Sequence, residues 1–342
     1  MPPVALAVSA LDPDAPGLAR YARWLGVDTL ESLGERETPY VAGTGPFAGL
    51  SFKVEGLQPT GSFKDRGSAT LVGRLSELAV GHVVEDSSGN AGASLAAYCA
   101  RAGIAVRLFV PESTPVAKLR QAAVHGAEIV RVPGPREAAG AAAIEAAETS
   151  GEVYASHLWN PYFTRGMSTF AFELWEQRHQ QAPDAVVIPV GAGTLFLGAY
   201  QGFLSLREAG LAARVPRMFG VQVEAFAPLA RASESGSKQA ANVAPATSAA
   251  DGVLVANPPN APAVLEAARA SGGAIIAVSE AALWDAHGLL GVRGLFVEPT
   301  SAVAAAGALV LRSAGVLVSD AETVVVLTGH GLKSAASRPG SG

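Results

Sequence analysis

Short apolar runs alternate with longer, Ala-rich runs of mixed polarity along most of this 342-residue chain. The apolar runs are SFKVE (51–55), HVVED (82–86), IAVRLFV (104–110), AEIVRV (127–132), DAVVIPV (184–190), MFGVQV (218–223), AIIAV (274–278) and TVVVLT (323–328). Their length and β-branched content predict strands. The stretches 65–79, 90–102, 116–125, 136–149, 165–180, 195–209, 261–271 and 300–312 carry helical spacing. Alternation of this kind predicts parallel sheets covered by helices on both faces, an α/β fold. So many strands over this length suit two sheets, hence two doubly wound domains with a cleft between them. Residues 232–249 (ASESGSKQAANVAPATSA) are small and polar and read as a surface loop. From Ser334 to Gly342 the chain reads as a frayed tail.

Composition narrows the class. Apolar residues are 49% and charged residues 16%, which describes a packed globular protein, not a disordered one. The net charge of −5 argues against a nucleic-acid surface while leaving room for a local anion pocket. The single cysteine, Cys99, has no partner for an intramolecular disulfide and reads as a small buried residue of a cytoplasmic protein. The opening MPPVALAVSALDPDAPG lacks a basic start, and no apolar run reaches the ~18 residues a spanning helix needs, so no leader and no membrane partner are expected.

Three segments carry candidate chemistry. In PTGSFKDRGS (59–68), Pro59 and Gly61 shape a tight turn and Lys64 falls in the first helical turn. There it faces the positive end of the helix dipole, which with burial would lower its pKa, as an imine-forming lysine requires. The competing reading is a solvated lysine beside Asp65 and Arg66 on an exposed helix start. In SSGNAGAS (87–94), Gly89 and Gly92 let backbone N–H groups converge on an anion at a helix N-terminus, or Ser87 or Ser88 simply caps that helix. In PVGAGTLFLGAY (189–200), Gly191 and Gly193 permit close approach to a phosphate, with the next helix aiming its dipole there. A dinucleotide-binding unit would look similar, but its third glycine falls on Phe196, and Glu224 comes about 30 residues after the glycines instead of the usual ~20.

Other candidates are weaker. The six histidines show no metal-ligand spacing and one cysteine makes structural zinc implausible, so no metal is expected. His330 reads as a turn residue with local hydrogen bonds. Glu85 and Asp86 either cap a strand end or meet the cleft.

Taken in order, these segments resemble the fold-type II pyridoxal-phosphate enzymes: threonine synthase, serine and threonine dehydratases, cysteine synthase and the tryptophan synthase β chain. PTGSFKDRG is most similar to threonine synthase, and the likeness runs from ETPYV (37–41) to TGHGLK (328–333). The resemblance implies pyridoxal 5'-phosphate as cofactor, in a Schiff base with Lys64. It implies that Asn90 lies against the cofactor's 3′ oxygen and that the loop Ser87, Ser88, Gly89 and Ala91 holds the substrate carboxylate. The backbone of Gly191, Ala192, Gly193, Thr194 and Leu195 would cradle the cofactor phosphate. The Thr328 hydroxyl would face the pyridine nitrogen, making a milder electron sink than a carboxylate would, suited to elimination and replacement. VEPTSA (297–302) matches a family stretch in which Glu298 is a cofactor-side or structural acid.

The implied activity is that of a threonine synthase-like lyase. Phosphate leaves the γ carbon of O-phosphohomoserine and water adds at the β carbon, giving threonine. The implied partners are a small amino-acid substrate and a second copy in a homodimer. Residues 1–50 and 160–342 would form a larger cofactor-binding domain, and 51–159 a smaller mobile one. Two departures point to an alternative, β-elimination or β-replacement on a serine-type substrate as in dehydratases or a cysteate synthase-like enzyme. Where the family reads N-P-F-R, this chain has Asn160, Pro161, Tyr162 and Phe163, with Arg165 two positions later as either a shifted phosphate ligand or a surface arginine. Ala91 stands where threonine synthases carry a threonine.

Overall fold

The computed structural model describes residues 6, 7, 10–244, 246–334, 336 and 338. The end of the chain, read above as frayed, therefore lies largely outside the described residues. Among the described residues the strands are β1 (Tyr40–Ala42), β2 (Leu50–Val54), β3 (His82–Glu85), β4 (Ala105–Pro111), β5 (Glu128–Val132), β6 (Val153–Tyr154), β7 (Ala185–Pro189), β8 (Arg217–Val223), β9 (Ala274–Val278) and β10 (Thr323–Leu327). The α-helices are α1 (Ala22–Leu25), α2 (Lys64–Glu77), α3 (Asn90–Ala102), α4 (Val116–Val124), α5 (Arg136–Ser150), α6 (Pro161–Gly166), α7 (Thr169–Gln177), α8 (Thr194–Glu208), α9 (Pro228–Glu234), α10 (Ala261–Ala270), α11 (Glu280–Gly291) and α12 (Pro299–Ser313).

The chain divides into two compact units. One comprises Leu6–Glu37 and Gln58–Thr169 and holds a four-stranded parallel sheet in the order β5-β4-β3-β6. Helix α5 packs on β3, β4 and β5, while α2 packs on α3 and α6. The other comprises Thr38–Leu57 and the described residues of Phe170–Gly342, with a six-stranded sheet in the order β1-β2-β10-β7-β8-β9. Its pairings are parallel except for the edge hairpin β1–β2. The central strands β7 (AVVIP) and β10 (TVVVL) are buried at every position, as mostly aliphatic runs covered on both faces are. Helix α12, rich in Ala, Val and Leu, packs on β7, β8, β9 and β10 and closes the main core with Phe47, Phe52 and Phe219.

The unit boundaries lie elsewhere than the expected residues 50 and 160. Strand β2 pairs with β10, which draws residues up to Leu57 into the six-stranded unit. Leu6–Glu37 instead goes with the Lys64 unit, where α1 packs on α6. The single helix expected over 165–180 is broken into α6 and α7. At the break the Thr169 hydroxyl donates to the Gly166 carbonyl at 2.7 Å, answering a group a continuous helix would have paired internally, and it accepts from Arg66 Nη1 of α2 at 3.1 Å. The expected loop at 232–249 begins inside α9.

Candidate active site

Lys64 is the first residue of α2 and is half-buried. Its Nζ lies over two aromatic rings, 4.7 Å from the centroid of Phe63 and 5.6 Å from that of Phe163. The exposed-helix reading fails at its neighbours, because Asp65 and Arg66 are both fully buried. Asp65 accepts from the Thr60 N–H at 2.7 Å, from the Thr60 hydroxyl and from Ser94 Oγ at 2.6 Å. One carboxylate thus fastens the turn before the lysine to α3. Burial, opposed by the Ser94 and Thr60 hydrogen bonds, raises the Asp65 pKa to about 6. Phe163 reaches Lys64 because position 67 is glycine: a Cβ there would sit 2.8 Å from the Phe163 ring and 2.7 Å from Met167.

The SSGN loop follows β3 and opens α3, with Gly89 as N-cap and Asn90 as first helical residue. Ser87 and Ala91 are buried, Ser88 and Asn90 half-buried and Gly89 exposed. Immediately before the loop, Glu85 and Asp86 are buried, and so is His157, which follows β6. His157 Nδ1 lies 2.5 Å from Glu85 Oε1, and Tyr154 donates to Asp86 at 2.9 Å. Burial, then the Asp86 charge, pushes Glu85 well above the usual carboxylate range. Burial, then the Lys64 and Arg136 charges, pushes His157 well below the usual imidazole range. Glu85 therefore keeps its proton to higher pH, and His157 resists taking a second. The ligand atoms of Glu85, Asp86 and His157 lie within 4.8 Å of one another, a spacing open to a metal ion as well. Sequence spacing missed this cluster because 72 residues separate Glu85 from His157; the parallel pairing of β3 with β6 brings them together.

The other expected substrate contacts are engaged within the lysine unit. Asn160 caps α6, accepting from the Tyr162 N–H at 2.9 Å. Arg165 donates to the Leu25 carbonyl at 3.2 Å and lies over the Tyr162 ring at 5.7 Å.

In the six-stranded unit, Gly193 is the N-cap of α8 at φ 86, and a Cβ there would collide with Val264. Only glycine combines that left-handed turn with that proximity. The first N–H groups of α8 lack intrahelical acceptors and carry the positive end of its dipole, a ready anion cradle. Gly191, Gly193, Thr194 and Leu195 are buried and Ala192 is half-buried. After β10, Thr328 is buried with its hydroxyl 3.0 Å from Ser301 Oγ. Ser301 also accepts from the Gly329 N–H at 2.8 Å, so this turn is built around a serine that the sequence reading passed over for its neighbour Glu298. Glu298 is half-buried against Gly329. His330 accepts from the Leu332 N–H at 3.2 Å, the local turn bond expected of it.

Residues 31–329 match the family described as pyridoxal-phosphate dependent enzyme. The chain belongs to that family. Threonine synthase of Methanocaldococcus jannaschii is 36% identical over 286 residues, 83% of this chain and 70% of that relative. Among solved structures, maize serine racemase aligns with a TM-score of 0.76 at 22% identity, covering 86% of this chain and 88% of that one. The processed form of threonine deaminase isoform 2 from Solanum lycopersicum aligns at 0.73 with 23% identity, covering 86% and 84%. The fold is thus that of the fold-type II members, and the chain is a threonine synthase-like lyase dependent on pyridoxal phosphate. The residues present fit that cofactor: a half-buried lysine on aromatic faces, a glycine-shaped anion cradle and a buried hydroxyl pair. Among the described residues, no helix is long and apolar enough to cross a membrane.

Proposed function

We propose that this lyase converts O-phosphohomoserine to threonine and phosphate, with Lys64 moving the substrate protons. The observation that carries the reading is the lysine turn itself, Lys64 at the head of α2 with Asp65 buried behind it, in a chain 36% identical to a threonine synthase. Bound pyridoxal phosphate supplies the electron sink that loosens the Cα–H bond. Around it, Lys64 and Asn90 attend the reacting end, the backbone from Gly191 through Ala192, Gly193 and Thr194 to Leu195 binds the phosphate, and Thr328 faces the ring nitrogen. Ser87, Ser88, Gly89 and Ala91 bind the substrate carboxylate. The same likeness carries the expectation of a cytoplasmic homodimer, which sedimentation checks.

A second reading, β-elimination or β-replacement on a serine-type substrate, is favoured by one observation. The family's arginine position holds Phe163, which is buried, and Arg165 would have to release the Leu25 carbonyl to bind a phosphate in its stead. The test is the visible spectrum of the holoenzyme before and after O-phosphohomoserine, with released phosphate measured alongside. A spectral shift with phosphate release, both absent in Lys64→Ala, supports the first reading; the rate loss in that variant should reach at least ~10³-fold, as for removal of a general acid–base group. An unchanged spectrum that responds to serine, O-acetylserine or O-phosphoserine moves the assignment to the second.

A further inference from the structure

We propose that Phe63 and Phe163 are positioning residues for Lys64: their ring faces seat its ammonium group once the lysine has taken the substrate's Cα proton. This rests on the lyase reading above and deepens it, since that reading makes Lys64 the group that moves the proton.

Three observations lead there. Lys64 Nζ lies over both rings, 4.7 Å from the Phe63 centroid and 5.6 Å from the Phe163 centroid. Both distances fall inside the roughly 6 Å over which a ring's negative face attracts a cation. Phe163 is also held in place from two sides. Glycine at 67 lets it lie against α2, and the His157 ring meets it in a T-shaped contact at 6.0 Å and 71°. Finally, Phe163 is buried and Lys64 half-buried, so the attraction acts partly out of water, where it is stronger.

In the proton transfer the Cα–H bond breaks, the proton passes to the lone pair of Nζ, and the electron pair left behind is drawn toward the bound cofactor. Nζ is neutral before the transfer and positively charged after it. The rings attract only the charged form, so they favour the state after transfer over the one before. A neutral ring also releases the proton when it is handed on, which a carboxylate in its place would resist. The charged neighbours act alongside this seat. Glu85 and His157 couple to Lys64 through charge, and Arg136 acts on the same two. Asp65 is bound to Thr60 and Ser94, and Arg66 to Thr169. On α6, Arg165 lies over Tyr162, and on α3, Tyr98 donates to Glu35.

The experiment replaces phenylalanine by its mono-, di- and trifluorinated analogues at 163 and, separately, at 63. Fluorine drains the negative face of the ring while nearly keeping its shape and leaving every neighbouring charge in place. The pH midpoint at which Lys64 loses its ammonium proton is read on the full chain before cofactor loading, by competitive acetylation with acetic anhydride and mass analysis of the Lys64 peptide. The seat predicts a midpoint that falls stepwise with fluorine number, by about half a unit to one unit at three fluorines. In the holoenzyme, Cα–H exchange into deuterated water is followed with saturating O-phosphohomoserine, and with serine should the wild type release no phosphate. It should slow in the same order, by about two- to tenfold at the high-pH plateau, because a less stabilised ammonium means a weaker base. A merely structural ring would not track fluorine number at constant melting temperature. A midpoint unmoved in either series overturns the proposal. Exchange that survives Lys64→Ala overturns the lysine reading on which it rests, whatever the midpoints do.

Discussion

Each unit buries a cluster of charged side chains, and the two clusters are finished differently. In the six-stranded unit, Lys53 is wholly buried and its ammonium bonds to the Glu173 carboxylate, to the Thr38 carbonyl at 2.7 Å and to Gln177 Oε1 at 2.7 Å. Thr38 returns the connection, donating its N–H to Glu173 and its hydroxyl to Glu55, each at 2.7 Å. All three ammonium protons have acceptors, which is what a buried charge needs in order to be tolerated. In the lysine unit, Glu85 and His157 are as deeply buried, yet one carboxylate oxygen is unanswered. A closed network supports a fold; an open one keeps hydrogen-bonding capacity for something that arrives later.

The comparison can be broken most directly at Lys53. Lys53→Met leaves Glu173 buried without its cation and should cost about 3–5 kcal/mol in urea unfolding, as removal of one partner from a buried pair does. Glu85→Gln should change stability by less than about 1 kcal/mol, because it removes a charge that burial already disfavours. Equal losses in the two variants would erase the distinction. A sharper test uses pH. Asp65 has its folded pKa raised to about 6 from 3.8, so the native state binds the extra proton between those values. Its contribution is present below pH 4 and lost as pH rises through 6, a fall of about 3 kcal/mol. The difference in unfolding free energy between wild type and Asp65→Asn should slope across pH 4–6 and be flat above it; a flat difference throughout refutes the assignment. The smallest effect is expected at Ser301→Ala, about 1 kcal/mol for the bonds to Thr328 and Gly329, with the cofactor's absorbance maximum as a second readout.

Most of the architecture was legible because the signals were dense. The eight strands read from β-branched runs are all present, and the helix expected over 90–102 is α3 residue for residue. What escaped was short or lacked periodicity. β6 has two residues and β1 three, and α11 (EAALWDAHGLLG) is apolar on most of its circumference and carries glycines, so no amphipathic stripe marks it. The lysine turn and the two glycine loops were legible because turn geometry leaves residue-type traces. Glu85 with His157, and Ser301 with Thr328, were not, because each pair is assembled by strand pairing and helix docking across 72 and 27 residues. Asp65 was visible as a letter, but its complete burial, and hence its work fastening the turn to α3, was not.

Gly67 has a consequence for how this enzyme could change its substrate. There is no room for a Cβ between α2 and the side chains of Phe163 and Met167, so the lysine helix and the segment carrying Phe163 are in direct contact at position 67. Position 163 is therefore not an independent dial. A Phe163→Arg change meant to admit a phosphate would also remove the ring under Lys64 and the shape that seats Gly67, so its effect should depend strongly on what occupies 67 and 167. Neighbours that share a cavity in this way respond non-additively. An evolutionary path between the two candidate chemistries would then run through paired substitutions, and libraries varying residue 163 alone would sample mostly dead ends.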